Sequence, residues 1–150
     1  MKRKILLVIV LLIVVAGIIG YRMYSKKVEN YAEGEPDITV TAKELVAAFE
    51  KDTASAVKQY LDKKVRVSGF VKSVDSSAVV LGEEGNPSDV VVGLDDRNLD
   101  GISQIKVGET AILQGKFSGY NQASGDSNDL ISSLGGTTIK IDYGGVKSKN

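Results

Sequence analysis

The sequence predicts a mainly β domain with helices, of the all-β or α+β class, in which five strands form a small closed barrel. From Lys63 onward the hydrophobic period is two residues, and five segments with this period are separated by turn-forming residues. Glycines also lie inside the first and fourth of these segments. Glycine within a strand usually marks a bend or bulge, which is how small barrels turn their corners.

The chain begins with a basic tail, MKRK, followed by an apolar run from Ile5 to Gly20. Residues 5–24 would reach about 30 Å as a helix, the thickness of a bilayer core. We therefore predict a transmembrane helix or signal anchor at residues 5–24, with tail residues 1–4 in the cytoplasm and the rest of the chain outside it. The alternative is a signal peptide cleaved near Val15-Ala16-Gly17, which would leave a secreted protein.

A linker and two short helices are predicted before the barrel. Residues 25–37 are polar and show no apolar period, which is typical of a linker. Thr41 can cap a helix over about residues 42–51, with Glu44 three positions later as in a capping box. Asp52 or Thr53 can cap a second helix in ASAVKQYL. With the barrel, these helices form a predicted domain at residues 38–147.

The five strands are predicted in KKVRVSGFVKSV, SAVVLGEE, SDVVVGLDD, ETAILQGKFSGY and TTIKIDYGGV. In the first strand, an apolar set alternates with an outward set that consists of Arg66, Ser68, Phe70 and Lys72. A polar insert separates the third and fourth strands. A long loop from Gly119 to Gly136 precedes the fifth.

Composition excludes several classes of site. The chain has no Cys and no His, so disulfides, thiolate nucleophiles, Cys-ligated metals and His-based catalysis are absent, and no cofactor is predicted. The formal net charge is zero, but six basic residues lie within the first 27 positions. The part from Val28 onward has 13 basic and 19 acidic residues, a net charge of −6. Such a part offers no global attraction to a polyanion.

Several motifs resemble the tRNA-anticodon-binding-like OB-fold family, called tRNA_anti-like. They are the glycines of VRVSGFV and VGETAILQGKF and the helical lead-in ELVAAFEKDTASAVKQYLDKKVRVSG. Family members are similar in having an N-terminal membrane or lipoprotein signal. They also resemble this chain in an Ala and a Tyr before the first strand, here Ala56 and Tyr60. A further shared feature is the turn before the fourth strand, which reads KVGE at residues 106–109 of this chain. The resemblance covers about residues 38–146 and implies a five-stranded OB-fold barrel. It implies no activity, because the family as a whole is of uncharacterised function.

An OB barrel binds ligands across its second and third strands and the adjoining loops. We predict a non-catalytic binding module outside the cytoplasm, with an envelope protein or glycan as partner. The candidate ligand-binding residues are Arg66, Ser68, Phe70, Lys72 and Tyr120. The alternative is single-stranded nucleic acid, which the cation and aromatic mixture on the first strand favours. Phe70 would serve neither ligand if it turned inward beside Gly69 or packed under the helices.

Neighbouring carboxylates do not predict an enzyme. Glu83-Glu84 and Asp95-Asp96 lie at strand ends, and adjacent residues of a strand point to opposite faces. An acid and base pair acting on one bond would need both carboxylates on the same side. No catalytic residue is therefore predicted.

The stretch DRNLDG resembles the opening of an EF-hand loop, with Asp96, Asn98 and Asp100 at the first, third and fifth positions. The twelfth position is Val107, where an EF-hand has its closing Glu, so calcium binding by these three residues would be weak. The favoured interpretation is a helical insert capped by Asn98 or Asp100, whose apolar residues close the barrel: Leu99, Ile102, Ile105 and Val107. A second acidic cluster, Asp126, Asn128 and Asp129, is interpreted as solvated loop.

Overall fold

A computed structural model of the chain describes residues 12–21, 29–122 and 135–147. Residues 12–21 form helix α1, and all its side chains are exposed. The remaining positions of the predicted 5–24 span lie outside the described residues. Among the helices that are described, none combines the length and the apolar character needed to cross a bilayer.

Five strands close into a barrel, which confirms the predicted architecture. The strands are β2 (Lys64–Val74), β3 (Ala78–Gly82), β4 (Asp89–Leu94), β5 (Thr110–Gln122) and β6 (Thr137–Val146). Neighbouring strands are antiparallel in the pairs β2–β3, β3–β4, β2–β5 and β5–β6, and β4 and β6 are parallel. This closed order is that of an OB-fold barrel.

Strand β2 belongs to both sides of the barrel. Its first half pairs with β5, and its last residues pair with β3 after a register shift between Val71 and Ser73. Val65, Val67 and Val71 are fully buried, so the predicted alternation of the first strand is confirmed. The side chains between them lie on the outer surface of the barrel.

One further strand was not predicted from the sequence. β1 (Ile38–Thr41) runs parallel to β2, with Val40 beside Val67. It pairs with the first part of the same β2 edge whose last part pairs with β3. The strand is only four residues long and leads directly into a helix cap. A period of two cannot be recognised over so short a segment.

The two predicted helices are present as α2 (Ala42–Lys51) and α3 (Thr53–Tyr60). Thr41 and Glu44 form the predicted capping box, and Asp52 caps α3. Buried Phe49 of α2 stacks on Phe117 of β5 at a centroid distance of 5.5 Å. The helices therefore close one end of the barrel with an aromatic contact.

The insert between β4 and β5 is a 3₁₀ segment, Asp96–Gln104. Its cap is Asp95, so the predicted capping by Asn98 or Asp100 is wrong. Three of the four predicted barrel-closing residues pack against the core, as expected: Leu99, Ile102 and Ile105. Val107 does not, because it lies in the turn before β5 and is 63% exposed.

Residues 29–37, called the strap, lie against the barrel although the sequence predicts a linker there. Ala32 is buried, and a Cβ added to Gly145 of β6 would lie 2.6 Å from the Ala32 methyl group. The amide Nε2 of Gln114, on β5, faces four successive strap carbonyls, those of residues 31–34, at 3.1–3.4 Å. These contacts involve backbone oxygens, so side-chain periodicity does not predict them.

Candidate ligand-binding groove

A groove of about 390 Å³ lies between α2 and the outer surface of β2, and Phe70 forms part of its wall. It is called the Phe70 groove. The turn between β3 and β4 closes its far side. Its lining includes Lys43, Ala47 and Glu50 from α2, Ser68 and Phe70 from β2, and Glu83 from the turn.

Two glycines bring the walls of the groove together. A Cβ on Gly69 would lie 2.8 Å from the Ala42 methyl group, so the first turn of α2 can approach β2 this closely only because residue 69 has no side chain. A Cβ on Gly82 would lie 2.8 Å from Cδ of Lys72. Gly69, one of the glycines predicted as a barrel bend, therefore also sets the width of the groove.

Phe70 points outward and is 42% exposed. The ring does not turn inward beside Gly69, because Val65, Val67 and Val71 occupy the inward positions of β2, and its exposed fraction shows that α2 does not cover it fully. On its other side the Phe70 ring borders a second concavity of about 280 Å³, which includes Val107. The exposed apolar side chains of Phe70 and Val107 thus border the same concavity beside the groove.

The charged groups around Phe70 are mostly engaged. Lys43 Nζ lies 2.9 Å from Glu83 Oε1, and this hydrogen bond raises the pKa of the lysine. Lys72 donates from Nζ to the backbone oxygen of Asn86 at 2.9 Å. Both lysines therefore connect the walls of the groove, and neither ammonium group points freely into it.

Glu50 has a structural partner at the end of the groove. Ser88 Oγ donates to Glu50 Oε1 at 2.7 Å and accepts from the backbone N–H of Thr137 at 3.0 Å. Ser88 is buried, so this chain of hydrogen bonds joins α2 to β6 through the β3–β4 turn. It fixes the helix that forms one wall of the groove.

Of the five predicted ligand-binding residues, Ser68 and Phe70 line the groove, and Lys72 lines the second concavity together with Phe70. Arg66 lies elsewhere, since its Nε donates to Gln114 Oε1 at 3.0 Å beside the strap. Tyr120 is 41% exposed, but its ring contacts Phe49 at a centroid distance of 5.2 Å. Residues 123–134, most of the predicted binding loop, lie outside the described residues.

The acidic insert has contacts of its own. Asp95 accepts hydrogen bonds from the Arg97 side chain and backbone, which lower the pKa of its carboxyl to about 2. Asn98 Nδ2 donates to Asn30 Oδ1 of the strap at 2.9 Å, whereas Asp96 and Asp100 are exposed. Within the described ranges, no three acidic side chains are grouped in a way that could hold a metal ion. The second acidic cluster, at residues 126–129, falls outside those ranges.

A group of aromatic and basic residues beside the strap was missed by the sequence analysis. The rings of Tyr31 and Tyr143 are 6.0 Å apart, and the Nζ atoms of Lys64 and Lys116 lie 5.9 and 5.6 Å from the Tyr31 centroid. These four residues are called the tyrosine cluster. They come from the strap, β6, β2 and β5, so no spacing along the chain could have indicated them.

Comparisons with known proteins agree with the fold. A family model described as tRNA_anti-like matches residues 1–127. A crystal structure from Klebsiella pneumoniae subsp. pneumoniae MGH 78578, described as a "putative nucleic acid-binding lipoprotein", is 14% identical with a TM-score of 0.53, covering 73% of this chain and 92% of that one. At this identity the likeness shows the fold alone.

A second structure, described as a "putative aspartyl-tRNA synthetase" from Leishmania major Friedlin, is 10% identical and has a TM-score of 0.41, covering 84% of this chain and 23% of that one. This likeness is too weak to carry an argument. No curated protein matches the chain significantly.

Proposed function

The chain belongs to the tRNA_anti-like family, and from that premise we propose that it is a non-catalytic binding module that takes a protein ligand in the Phe70 groove. The observation that carries the proposal is the position of Phe70, an aromatic ring 42% exposed at the junction of two concavities. Aromatic side chains dominate the energetics of protein interfaces when they are buried by a partner. Val107, 63% exposed, extends the apolar surface.

The electrostatics of the groove favour a protein over nucleic acid. A nucleic acid needs clustered cations for its phosphates and aromatic side chains on which its bases can stack. Lys43 and Lys72 are engaged with Glu83 and Asn86, and Phe70 is the single aromatic ring among the described residues of the groove lining. Both lysines thus already have partners, and Val107 adds an exposed apolar side chain beside Phe70.

The outer face of β3 and β4 also favours a protein ligand over nucleic acid. In an OB barrel these two strands, the second and third of the barrel, form the usual nucleic-acid surface. Here their central outward residues are Val80 and Val91, which lie opposite each other in the ladder and are half-buried. The other outward positions are Ala78, Gly82, Asp89 and Gly93. This face provides neither a base-stacking ring nor a cation.

A glycan was the other ligand class predicted from the sequence. Sugars are held by several convergent polar groups beside an aromatic ring. In the groove, Glu50 already accepts from Ser88, and Glu83 already pairs with Lys43. The apolar groups around Phe70 therefore suit a protein side chain better.

Single-stranded nucleic acid remains the second candidate function. It is favoured by the likeness in fold to a protein described as a "putative nucleic acid-binding lipoprotein". Fluorescence polarisation with a labelled oligothymidylate at low salt tests it directly. If the oligonucleotide binds and the binding weakens steeply as salt is added, the ligand of the groove is nucleic acid and not a protein.

The absence of catalysis is part of the proposal. Asp95, with a pKa of about 2, is ionised at neutral pH and is held by Arg97, so it is a poor general acid. Glu83 lies in an exposed ion pair with Lys43.

We also propose that residues 5–24 anchor the chain in a membrane, with the barrel outside the cytoplasm. The apolar run from Ile5 to Gly20 between two basic flanks supports this placement. The description of the Klebsiella protein as a lipoprotein is consistent with an envelope location. Cleavage of the same segment would instead release the barrel.

Photo-crosslinking tests the groove. Benzoylphenylalanine at position 70 of the full chain, in its native membrane, is expected to give one specific protein adduct. The matched control is the same substitution at Tyr120, an equally exposed aromatic position outside the groove lining. Adducts that disappear on nuclease treatment, or equal adducts at both positions, would refute a protein ligand in the groove.

A further inference from the structure

We propose that the tyrosine cluster is a membrane-contacting surface that holds the barrel against the lipid headgroups of the bilayer carrying the N-terminal segment. The inference rests on the membrane anchor of the proposed function and is independent of the Phe70 groove. The surface consists of Tyr31, Tyr143, Lys64 and Lys116. Three features support it: the short reach of the chain, the chemistry of the exposed ring and the balance of charge.

The first feature is the length of chain between the proposed anchor, residues 5–24, and the strap, which begins at Glu29. Because the strap lies on the barrel, the chain from residue 24 to residue 29 sets the largest possible separation between anchor and barrel. Five peptide steps at full extension span at most about 18 Å. Tyr31 is two residues farther along. The cluster is therefore held within reach of the bilayer surface by the covalent chain.

The second feature is Tyr143, which is 44% exposed and has a φ of +55°. A tyrosine in the left-handed region costs about 1 kcal/mol relative to glycine or asparagine, and such outliers point to a functional constraint. Its ring packs only partly, against Tyr31 at 6.0 Å. Tyrosine is enriched at membrane interfaces, where an apolar ring and a polar hydroxyl suit the headgroup level.

The third feature is charge. Lys64 Nζ pairs with Glu29 at 3.1 Å, and Lys116 Nζ pairs with Asp62 at 2.7 Å. The cluster is therefore close to neutral, which does not suit a polyanion such as nucleic acid. A lipid interface requires no such excess of cations, because an exposed tyrosine ring such as that of Tyr143 partitions there by its apolar surface. The contact should accordingly depend little on the fraction of anionic lipid.

A tryptophan reporter tests the inference in the full chain, because the chain has no Trp of its own. Tyr143→Trp is reconstituted in phosphatidylcholine nanodiscs that carry brominated or doxyl-labelled acyl chains near the interface. We expect lipid quenching to reduce the emission of this reporter about twofold, as for an indole at headgroup level. Adding phosphatidylglycerol should leave the quenching unchanged.

Matched reporters separate this inference from the proposals on which it rests. Phe70→Trp has nearly the same exposure, 42%, but lies six residues along β2 from Lys64, about 20 Å away, and should not be quenched. Tyr21→Trp, inside the proposed anchor at residues 5–24, reports the anchor itself. Quenching at position 21 without quenching at 143 overturns the membrane contact and leaves the anchor intact. No quenching at either position overturns both.

Two other outcomes also refute the proposal. Equal quenching at positions 70 and 143 would show that the barrel has no preferred face toward the lipid. Quenching of the position 143 reporter by an oligothymidylate, but not by lipid, would assign the cluster to nucleic acid. Tyr31→Trp, at a residue with ordinary backbone geometry, repeats the measurement if tryptophan is not accommodated at position 143.

Discussion

The two halves of β2 present their outward side chains to different surroundings. Arg66 lies beside the strap and donates to Gln114, which is fully buried. Phe70, four residues later on the same face, is 42% exposed at the groove. The strand's alternation places both side chains outside the barrel, but segments far away in the sequence decide which of them is covered. The covered half is structural, and the open half is available to a ligand.

The largest expected effect on the free energy of unfolding is in the covered half of β2. Gln114→Leu keeps the side-chain volume but removes the donor to the strap carbonyls and the acceptor for Arg66. Leaving buried polar groups unpaired should lower the free energy of unfolding by about 2 kcal/mol, measured by urea denaturation of the full chain in detergent. Amide hydrogen exchange should also accelerate in residues 29–37.

The control for this substitution is Gln122→Leu, at the exposed end of the same strand. It should change the free energy of unfolding by less than about 0.5 kcal/mol. If the two substitutions had equal effects, the strap would not depend on Gln114, and the contrast between the halves of β2 would lose its structural basis.

A smaller effect on the free energy of unfolding is expected at α2, the helix that forms one wall of the Phe70 groove beside the open half of β2. Thr41→Ala removes the hydroxyl that accepts from the Glu44 N–H and caps α2. Loss of an N-cap costs about 1 kcal/mol of free energy of unfolding. Thr41→Ser retains the hydroxyl and should restore most of the loss. If serine were no better than alanine, the cap would not hold the groove wall.

Acid should weaken the cap of the 3₁₀ segment, which contacts the strap through Asn98. Hydrogen bonds from Arg97 lower the pKa of Asp95 from 3.8 to about 2. A carboxyl with a lowered pKa contributes stability that is present above its unfolded-state pKa and is lost as the pH falls through its folded-state pKa. Asp95→Asn should therefore lower the melting temperature at pH 7, and the difference should shrink between about pH 4 and pH 2.

Asp100→Asn is the matched charge change at an exposed position of the same segment. It should leave the melting temperature at pH 7 unchanged. A deficit for Asp95→Asn that stayed constant down to pH 2 would show that the charge of Asp95 is not what stabilises the segment.

Local patterns predicted much of this molecule. The capping box at Thr41 and Glu44 and the alternation of β2 involve residues within a few positions of one another, and both were predicted correctly. The five-stranded barrel was also predicted, since its strands are long enough to show their period, and the family resemblance implied its OB arrangement. Asp95 was missed as a cap because several acidic and amide residues compete for that role within DDRNLD.

Contacts between distant segments could not be predicted. Gln114 and the strap are separated by about 80 residues, and the tyrosine cluster combines side chains from four segments. The exposure of Phe70 depends on how closely α2 approaches Gly69, which is a property of the packed structure. The alternation of the first strand placed Arg66, Ser68, Phe70 and Lys72 on one outward face, but it could not show that Arg66 would be engaged by a buried glutamine.

The smallest effect on stability is expected at Phe70 itself, and this contrast distinguishes a binding residue from a packing residue. Phe70→Thr keeps a strand-favouring residue and removes a ring that is 42% exposed. The free energy of unfolding should change by less than about 0.5 kcal/mol, while crosslinking to the partner from a neighbouring position such as Val107 should be lost. Tyr120→Thr removes a ring of equal exposure that contacts Phe49, so it should cost more, about 1 kcal/mol. If Phe70→Thr proved as costly as Tyr120→Thr, Phe70 would be part of the core packing and the groove would have no ligand-binding ring.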